Sequence, residues 1–402
     1  MRRVVVTGLG VVSALGIGRE AHFAGLAEGR AGIGPIERID SSRLMIKIAA
    51  EADFDGDAYF DRQQLTLYDR VTQMALVAAE EAMAQSGLAV DAALSPRTAT
   101  IIATAMGGLH TQDENYYAVY HEMKNRVHPF IIPRLMANAP VSQVSMKYGL
   151  RGPAWSVATA CASSNHAIGQ AMHLVRSGAC DAAVTGGTES VLCFGGIKAW
   201  EGLRVMSKDG CRPFSKSRNG MVLGEGCGIL VIEERERALA RGAPILAEIA
   251  GSGMTADAAD IVAPAMEGAA AAMQGALDDA GMAPGEVDYI NAHGTATAIN
   301  DRTEAAAIRA VLGARAGEVM VSSTKSMHGH AIGAAGALEA AAVIMAMRDG
   351  VVPPTINHDE PDPEIGLDVV PNAARRAPVR AALSNAFAFG GLNAVLAFRR
   401  GD

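Results

Sequence analysis

The sequence predicts an α/β protein built from two related halves that share one site, and three observations carry that prediction. The stretch Val157–Gly169 (VATACASSNHAIG) runs from β-branched and small residues through Cys161 into apolar positions at helical spacing: Ala167, Ile168, Ala171, Met172, Leu174 and Val175. Cys161 therefore sits where a strand hands over to a helix. Val321–Gly333 (VSSTKSMHGHAIG) aligns on that stretch without gaps, with Val, His, Ala, Ile and Gly in step and Lys325 opposite Cys161. Val4–Gly10 (VVVTGLG) echoes Ala247–Gly253 (AEIAGSG), both extended apolar runs ending in Gly-x-Gly. Two copies of one unit about a pseudo-twofold axis would bring Cys161 and the Lys325–His330 segment into a single site.

At a helix start, free N–H groups and the positive end of the macrodipole favour a thiolate, so the Cys161 thiol is expected to ionise more readily than usual. Its small neighbours Ala160, Ala162 and Ser163 leave room for a substrate. A buried core cysteine is the competing reading of this stretch alone.

The elements follow in order. Arg2–Thr7 reads as a buried strand, with Gly8, Gly10 and Gly16 forming a turn after it. A dinucleotide fingerprint would need a third glycine where Ser13 stands, and no acidic residue ends a second strand about twenty residues on. Leu67–Met83 is a helix by its spacing, Thr98–Met106 a buried strand, and Asn125–Pro140 a crossing loop with a short helix. Cys180–Gly187 is a strand, and strand, helix, strand in succession suggests a mixed sheet in a layered fold. Lys208–Gly228 is glycine-rich and turn-forming, and Ile229–Glu233 resumes as a strand. Glu233–Gly242 is a short solvated helix that closes the first half. Ala243–Pro244 marks the junction, dividing the chain into residues 1–243 and 244–402. The second half holds helix Pro264–Gly281, strand Val287–Asn291 leading to His293, the apolar helix Ala335–Met347, strand Arg380–Ser384, the turn Ala386–Gly391, and strand Ala394–Phe398.

With 402 residues, half of them hydrophobic, the chain can bury a large core. Its net charge of −8, from 35 basic and 43 acidic residues, gives no general reason to bind nucleic acid or an anionic membrane. Five cysteines (161, 180, 193, 211 and 227) show no metal-ligand spacing and, being odd in number, no disulfide framework, so reduced thiols in the cytoplasm are expected. The N-terminal MRRVVVTGLGVVSALG is too short to span a membrane and too glycine-rich for a signal peptide.

Three further segments place reactive side chains among small residues: His293 in NAHGTAT, Lys325 and His330 in STKSMHGHAIG, and Phe389 in AFAFGG. Together with TACASS at Thr159–Ser164, CRPFSKSRNGMVLGEG at Cys211–Gly226, NDRTE at Asn300–Glu304 and SNAFAFGGLN at Ser384–Asn393, they resemble the β-ketoacyl-ACP synthases of the thiolase superfamily, in the type II elongating branch, nearly end to end. The resemblance implies a thiolase-like fold, with duplicated halves in an αβαβα arrangement and mixed five-stranded sheets. It makes Cys161 the acyl-accepting nucleophile of a Cys-His-His triad completed by His293 and His330. Lys325 becomes the supporting cation, Glu339 a residue that orders the site, Phe389 the gate, and Thr295 and Thr297 contacts for the pantetheine arm. Met106, Ile131 and Trp200 would border the acyl tunnel. Lys124, Arg126, Arg204 and Lys208 would form the patch for an acidic acyl carrier protein.

The chemistry suits these side chains in its own right. Acyl transfer to Cys161 needs an oxyanion hole, which the backbone N–H groups of Cys161 and Phe389 could supply. Decarboxylation of a malonyl thioester develops charge on the thioester oxygen, which two neutral imidazoles would stabilise, and the carbanion then extends the acyl chain by two carbons. No cofactor is expected beyond the pantetheine on the carrier, and no metal among the catalytic groups. A structural monovalent cation near Asn291, Glu339, Ser384 and Asn385 and a homodimer are implied by the resemblance alone.

The chain departs from the family pattern at Ala298 (usually proline), Ala388 (glycine), Leu392 (threonine or histidine) and Ser215 (often aspartate). Ala388 and Leu392 flank the gate, which bears on chain-length preference, and AFAFGGLN resembles the nodulation-type branch. Gln63, Thr66 and Leu67 stand where the family often has basic residues, so carrier recognition is expected to differ. A thiolase would use a second cysteine near the C-terminus, but none follows Cys227. CoA-primed initiating synthases would place asparagine where His330 stands. A chain-length-factor subunit would have lost the nucleophile that this chain keeps.

Overall fold

The internal duplication is realised strand for strand in the computed structural model, which describes residues 1–401. The first half contributes β1 (Val4–Ser13), β2 (Thr98–Ala103), β3 (Ala154–Val157), β4 (Ala182–Glu189) and β5 (Gly226–Glu234). The second contributes β6 (Ala247–Ala256), β7 (Tyr289–Asn291), β8 (Met320–Ser322), β9 (Ala381–Ala388) and β10 (Leu392–Arg399). Their order across the sheet is β3-β2-β4-β5-β1-β6-β10-β9-β7-β8. In each half four strands run in one direction and one runs opposite, β5 in the first and β10 in the second, at matching places.

The mixed five-stranded sheets expected of the two halves are present, and they are joined edge to edge. β1 and β6 pair antiparallel at Val5 with Glu248 and Val6 with Ala247, joining the sets into one sheet whose eleventh strand is Gly16–Ile17 beside β1. The pairing removes two open strand edges, each a row of unsatisfied backbone groups.

Helices complete five layers. α1 (Arg70–Ser86) and α2 (Ala139–Tyr148) cover one outer face, and α5 (Met266–Ala280) and α6 (Ala298–Leu312) the other. α3 (Ser163–Arg176) and α7 (Ala335–Asp349) lie between, each packed on strands of both halves, while α4 (Phe194–Gly202) lies at the edge of the site. α7 is buried from Ala335 to Met347. A helix that is apolar all round belongs inside, and Glu339 is the one charge in that run.

Several boundaries differ from the sequence reading for local reasons. β1 does not stop at Thr7: Gly8 and Gly10 lie within it, because a Cβ there would fall about 2.0 Å and 1.9 Å from the Ala82 and Ala78 carbonyl oxygens of α1. α1 begins at Arg70 rather than Leu67 because the Asp69 carboxylate accepts from the Val71 N–H and starts a new helix. The Ala386–Gly391 turn is shorter than expected, since β9 continues to Ala388. Among the described residues, no helix is long and apolar enough to cross a membrane.

The gapless alignment that set Lys325 opposite Cys161 holds for the strands and then fails. Val157 ends β3 as Val321 lies in β8, but Ser163 begins α3 where Ala335 begins α7, so the register slips by eight residues. Each helix is preceded by a tight turn, Ala160–Ala162 in one half and Ile332–Ala334 in the other, with φ of 47° at Ala160 and 40° at Ile332. The counterpart of Cys161 is therefore Gly333. Lys325 and His330 sit in a segment that the first half lacks.

Candidate active site

Each half delivers its groups from the ends of its parallel strands. Cys161 lies in the turn between β3 and α3, one residue ahead of the helix N-cap. Small side chains surround it, Ala162, Ala386, Ala388 and Ala394 among them. His293 follows β7, Lys325 starts the short helix Lys325–His328 after β8, and His330 precedes the Ile332–Ala334 turn. The Cys161 sulfur and the ring nitrogens of His293 and His330 all lie within 4.8 Å of one another. The three line one cavity of about 280 Å³ with Thr295, Thr297 and Phe389.

The hydrogen bonds fix which ring nitrogens carry protons. The Ile332 backbone N–H donates to His330 Nδ1 at 3.2 Å, and the Lys325 ammonium donates to His293 Nδ1 at 3.4 Å. Both Nδ1 atoms are therefore acceptors, and both rings carry their proton on Nε2. His330 presents that N–H to the Cys161 sulfur at 3.1 Å. The two rings meet edge to face, with centroids 5.5 Å apart. Burial holds both imidazoles well below their ordinary pKa, and the charge of Lys325 pushes in the same direction. They are neutral donors at physiological pH. A transition metal would need bare Nε2 lone pairs, which the Nδ1 contacts oppose.

Lys325 and Glu339, both fully buried, form an ion pair beneath His293. Burial pushes the Glu339 carboxyl up to about 7, against the pull of Lys325. Glu304, in the NDRTE motif, accepts from the N–H groups of His293 and Gly294 at 2.8 and 2.7 Å and from Asn385 at 3.1 Å. Sequence reasoning quoted that motif without giving Glu304 a task. Only the fold reveals that it anchors the His293 backbone.

The expected readiness of Cys161 to ionise is not what its surroundings give. Burial pushes the thiol up to about 11, outweighing the Lys325 charge and the backbone N–H groups of Phe389 and Cys161 that favour the anion. The sulfur sits in a turn ahead of α3 with almost no solvent contact, so desolvation exceeds the helix-end effect.

The remaining predicted residues divide. Thr295 and Thr297 face the cavity with hydroxyls 3.0 Å apart. Trp200, on α4, stacks on Phe389 with ring centroids 6.2 Å apart. Met106 and Ile131 do not line the Cys161 cavity: Met106 is 44% exposed, and Ile131 borders a separate depression. Three of the four basic residues border different depressions. Arg204 is at the mouth of the Cys161 cavity, Lys124 and Arg126 line the other depression, and Lys208 is exposed outside both. Beside Arg204, the mouth carries the exposed apolar residues Val262 and Ile299, an arrangement absent from the sequence reading.

Four buried oxygens near Lys325 have no hydrogen-bond partner: Asn291 Oδ1, Glu339 Oε2, Ser384 Oγ and Asn385 Oδ1. That donor set suits a hard monovalent cation.

Two family models match successive parts of the chain. The family model described as beta-ketoacyl synthase, N-terminal domain, matches residues 1–238, and the beta-ketoacyl synthase, C-terminal domain, matches residues 246–359. Nodulation protein E of Rhizobium sp. (strain N33) is 48% identical over 99% of both chains. The 3-oxoacyl-[acyl-carrier-protein] synthase 2 of Synechocystis sp. is 42% identical over 99% of this chain and 98% of its own. The solved ishigamide ketosynthase/chain length factor superposes with a TM-score of 0.94 at 39% identity, over 99% of each chain. Alike in both domains and over nearly its whole length, this chain belongs to the β-ketoacyl-ACP synthase family, acyltransferases of the ketosynthase type.

Proposed function

We propose that the chain elongates specialised acyl chains by decarboxylative Claisen condensation with malonyl-ACP, and that the residues above take these parts. The observation that carries the reading is the convergence of one sulfur and two Nε2–H donors in one small cavity. In the first step Cys161 attacks the acyl thioester, its carbonyl oxygen held by the N–H groups of Cys161 and Phe389. The pantetheine sulfur leaves and takes up the proton that the thiol gives up. In the second, the malonyl C–C bond breaks, CO₂ departs, and the enolate oxygen accepts from His293 and His330. The enolate carbon then attacks the Cys161 thioester, a C–C bond forms, the C–S bond breaks, and the departing thiolate takes a proton from water to regenerate the Cys161 thiol.

Lys325 and Glu339 hold His293 in its donating tautomer. Thr295 and Thr297 receive the pantetheine arm. Phe389, leaning on Trp200, gates the acyl tunnel, with Met106 and Ile131 further along it. A monovalent cation held by Asn291, Glu339, Ser384 and Asn385 would supply countercharge beneath the site. Residues 1–243 serve as the half that brings the nucleophile and 244–402 as the half that brings the histidines.

The partner is an acyl carrier protein, as the printed name of the Synechocystis relative suggests. It meets the mouth through Val262 and Ile299 around Arg204. A homodimer would cover the exposed apolar residues Tyr116, Tyr120, Met123, Phe130, Ile132 and Met136. Five free, buried cysteines fit a reducing cytoplasm.

Intact mass after incubation with acyl-ACP tests the reading: acylation of Cys161, followed by a product two carbons longer on adding malonyl-ACP, is expected. Failure to acylate with either acyl-ACP or acyl-CoA would favour the chain-length-factor reading, which the ketosynthase/chain length factor likeness keeps in view.

A further inference from the structure

Glu189 ends β4 fully buried, and among the described residues no cation pairs with it. Its charge is met by four donors instead. Oε1 accepts from the Thr104 hydroxyl at 3.0 Å and the Met106 N–H at 3.3 Å. Oε2 accepts from the Ala105 N–H at 2.8 Å and the Gly333 N–H at 3.1 Å. Three of these donors belong to the loop leaving β2, which carries Met106. The fourth belongs to the turn whose Ile332 N–H sets the tautomer of His330. One carboxylate, and one of its oxygens in particular, thus holds segments from both halves at a fixed spacing. Burial pushes that carboxyl up to about 7, so the four donors are what keep its anion in place.

We infer that Glu189 is a positioning residue for condensation: it locks the His330 turn to the Met106 loop, so that the acyl-lining wall and the decarboxylating histidine keep one geometry. The inference rests on the roles proposed above for His330 and Met106.

Two variants test it by different physics. In Glu189→Gln the amide NH₂ replaces an acceptor, so one pair of donors faces another donor. In Gly333→Ala the carboxylate stays, but the new Cβ would lie 2.5 Å from the Ala105 nitrogen and 2.6 Å from Glu189 Oε2, wedging the segments apart. For both, malonyl-ACP decarboxylation by the acylated enzyme should fall about tenfold more than Cys161 acylation, because small misplacements of a reacting group are that costly. The acyl-length profile should shift in the same variants. A purely structural residue would lower the melting temperature and both rates in parallel.

Equal losses in the two steps, or an unchanged acyl profile in a folded variant, would overturn the inference, and Gly333→Ala decides alone should Glu189→Gln not fold. An unaltered chain unable to decarboxylate malonyl-ACP would remove the proposed function and this inference together. Parallel losses confined to the variants would remove only this inference.

Discussion

His293 and His330 look equivalent in the sequence, but the structure makes them unequal, and alanine at each position separates the two half-reactions. His330 Nε2 stands 3.1 Å from the Cys161 sulfur, whereas His293 is bound through Nδ1 to Lys325 and packs edge-on to Phe387 at 6.0 Å. A hydrogen bond to a charged acceptor is worth about 1.5–3 kcal/mol, so loss of the His330 donor should slow Cys161 acylation about 10- to 150-fold. Loss of His293 should leave acylation within about threefold, since a contact absent from that step contributes under about 0.7 kcal/mol. In the proposed decarboxylation both histidines donate to the enolate oxygen, and removal of either should cost about 10²–10³ in rate, or about 2.7–4 kcal/mol. The assay is paired. Single-turnover acylation is followed by intact mass, and CO₂ release from malonyl-ACP is measured on the pre-acylated enzyme, with melting curves to confirm folding. Should His293→Ala cripple acylation as severely as His330→Ala does, the division of labour read from these distances is wrong.

Lys325→Met should destabilise the protein in urea titrations at alkaline pH, approaching about 3–5 kcal/mol where Glu339 would be ionised, because it strands a buried carboxylate. The Glu339 carboxyl, already raised, then favours the fold when protonated; the deficit should be small in acid and grow as pH climbs through about 7, and adding Glu339→Gln should restore most of it. Alkylation of Cys161 by iodoacetamide should rise about tenfold per pH unit and still be climbing at pH 9, since burial holds the thiol neutral up to about 11; a plateau below pH 8 would contradict that balance. Trp200→Ala removes the ring stacked on Phe389 and should change the acyl-length profile measured with a ladder of acyl-ACPs. An unchanged profile would reduce Trp200 to core packing.

What could be read from the sequence was what repeats or clusters along it. The β1 and β6 echo, the strand that leads to Cys161, and the motifs around His293, Lys325 and His330 are local patterns, and each led to the right neighbourhood. What could not be read depends on distant parts of the chain. The alignment of Cys161 with Lys325 was plausible letter by letter, yet the helices show that the second half spends extra residues there. The thiol was expected to ionise readily because a helix start is visible in sequence, whereas the desolvation that outweighs it is not. Basic residues at 124, 126, 204 and 208 are easily counted, but only coordinates reveal that Arg204 alone stands at the cavity mouth. Glu189 and Glu304 escaped because a carboxylate that binds only N–H and O–H groups leaves no charge partner to find.

The corrected register also explains why a duplicated fold has one nucleophile instead of two. Gly333 occupies the place in the second half that Cys161 occupies in the first, after turns with the same left-handed residue. No cysteine could stand there, because even a Cβ at Gly333 would collide with Ala105 and Glu189. The room that a second sulfur would need is taken by the contact that seats His330. The segment inserted ahead of that turn carries both Lys325 and His330 across to the first half's sulfur. Asymmetry is therefore the condition for catalysis here: one turn holds a sulfur at the cavity, and its twin gives up its side chain so that an imidazole N–H can be aimed at it.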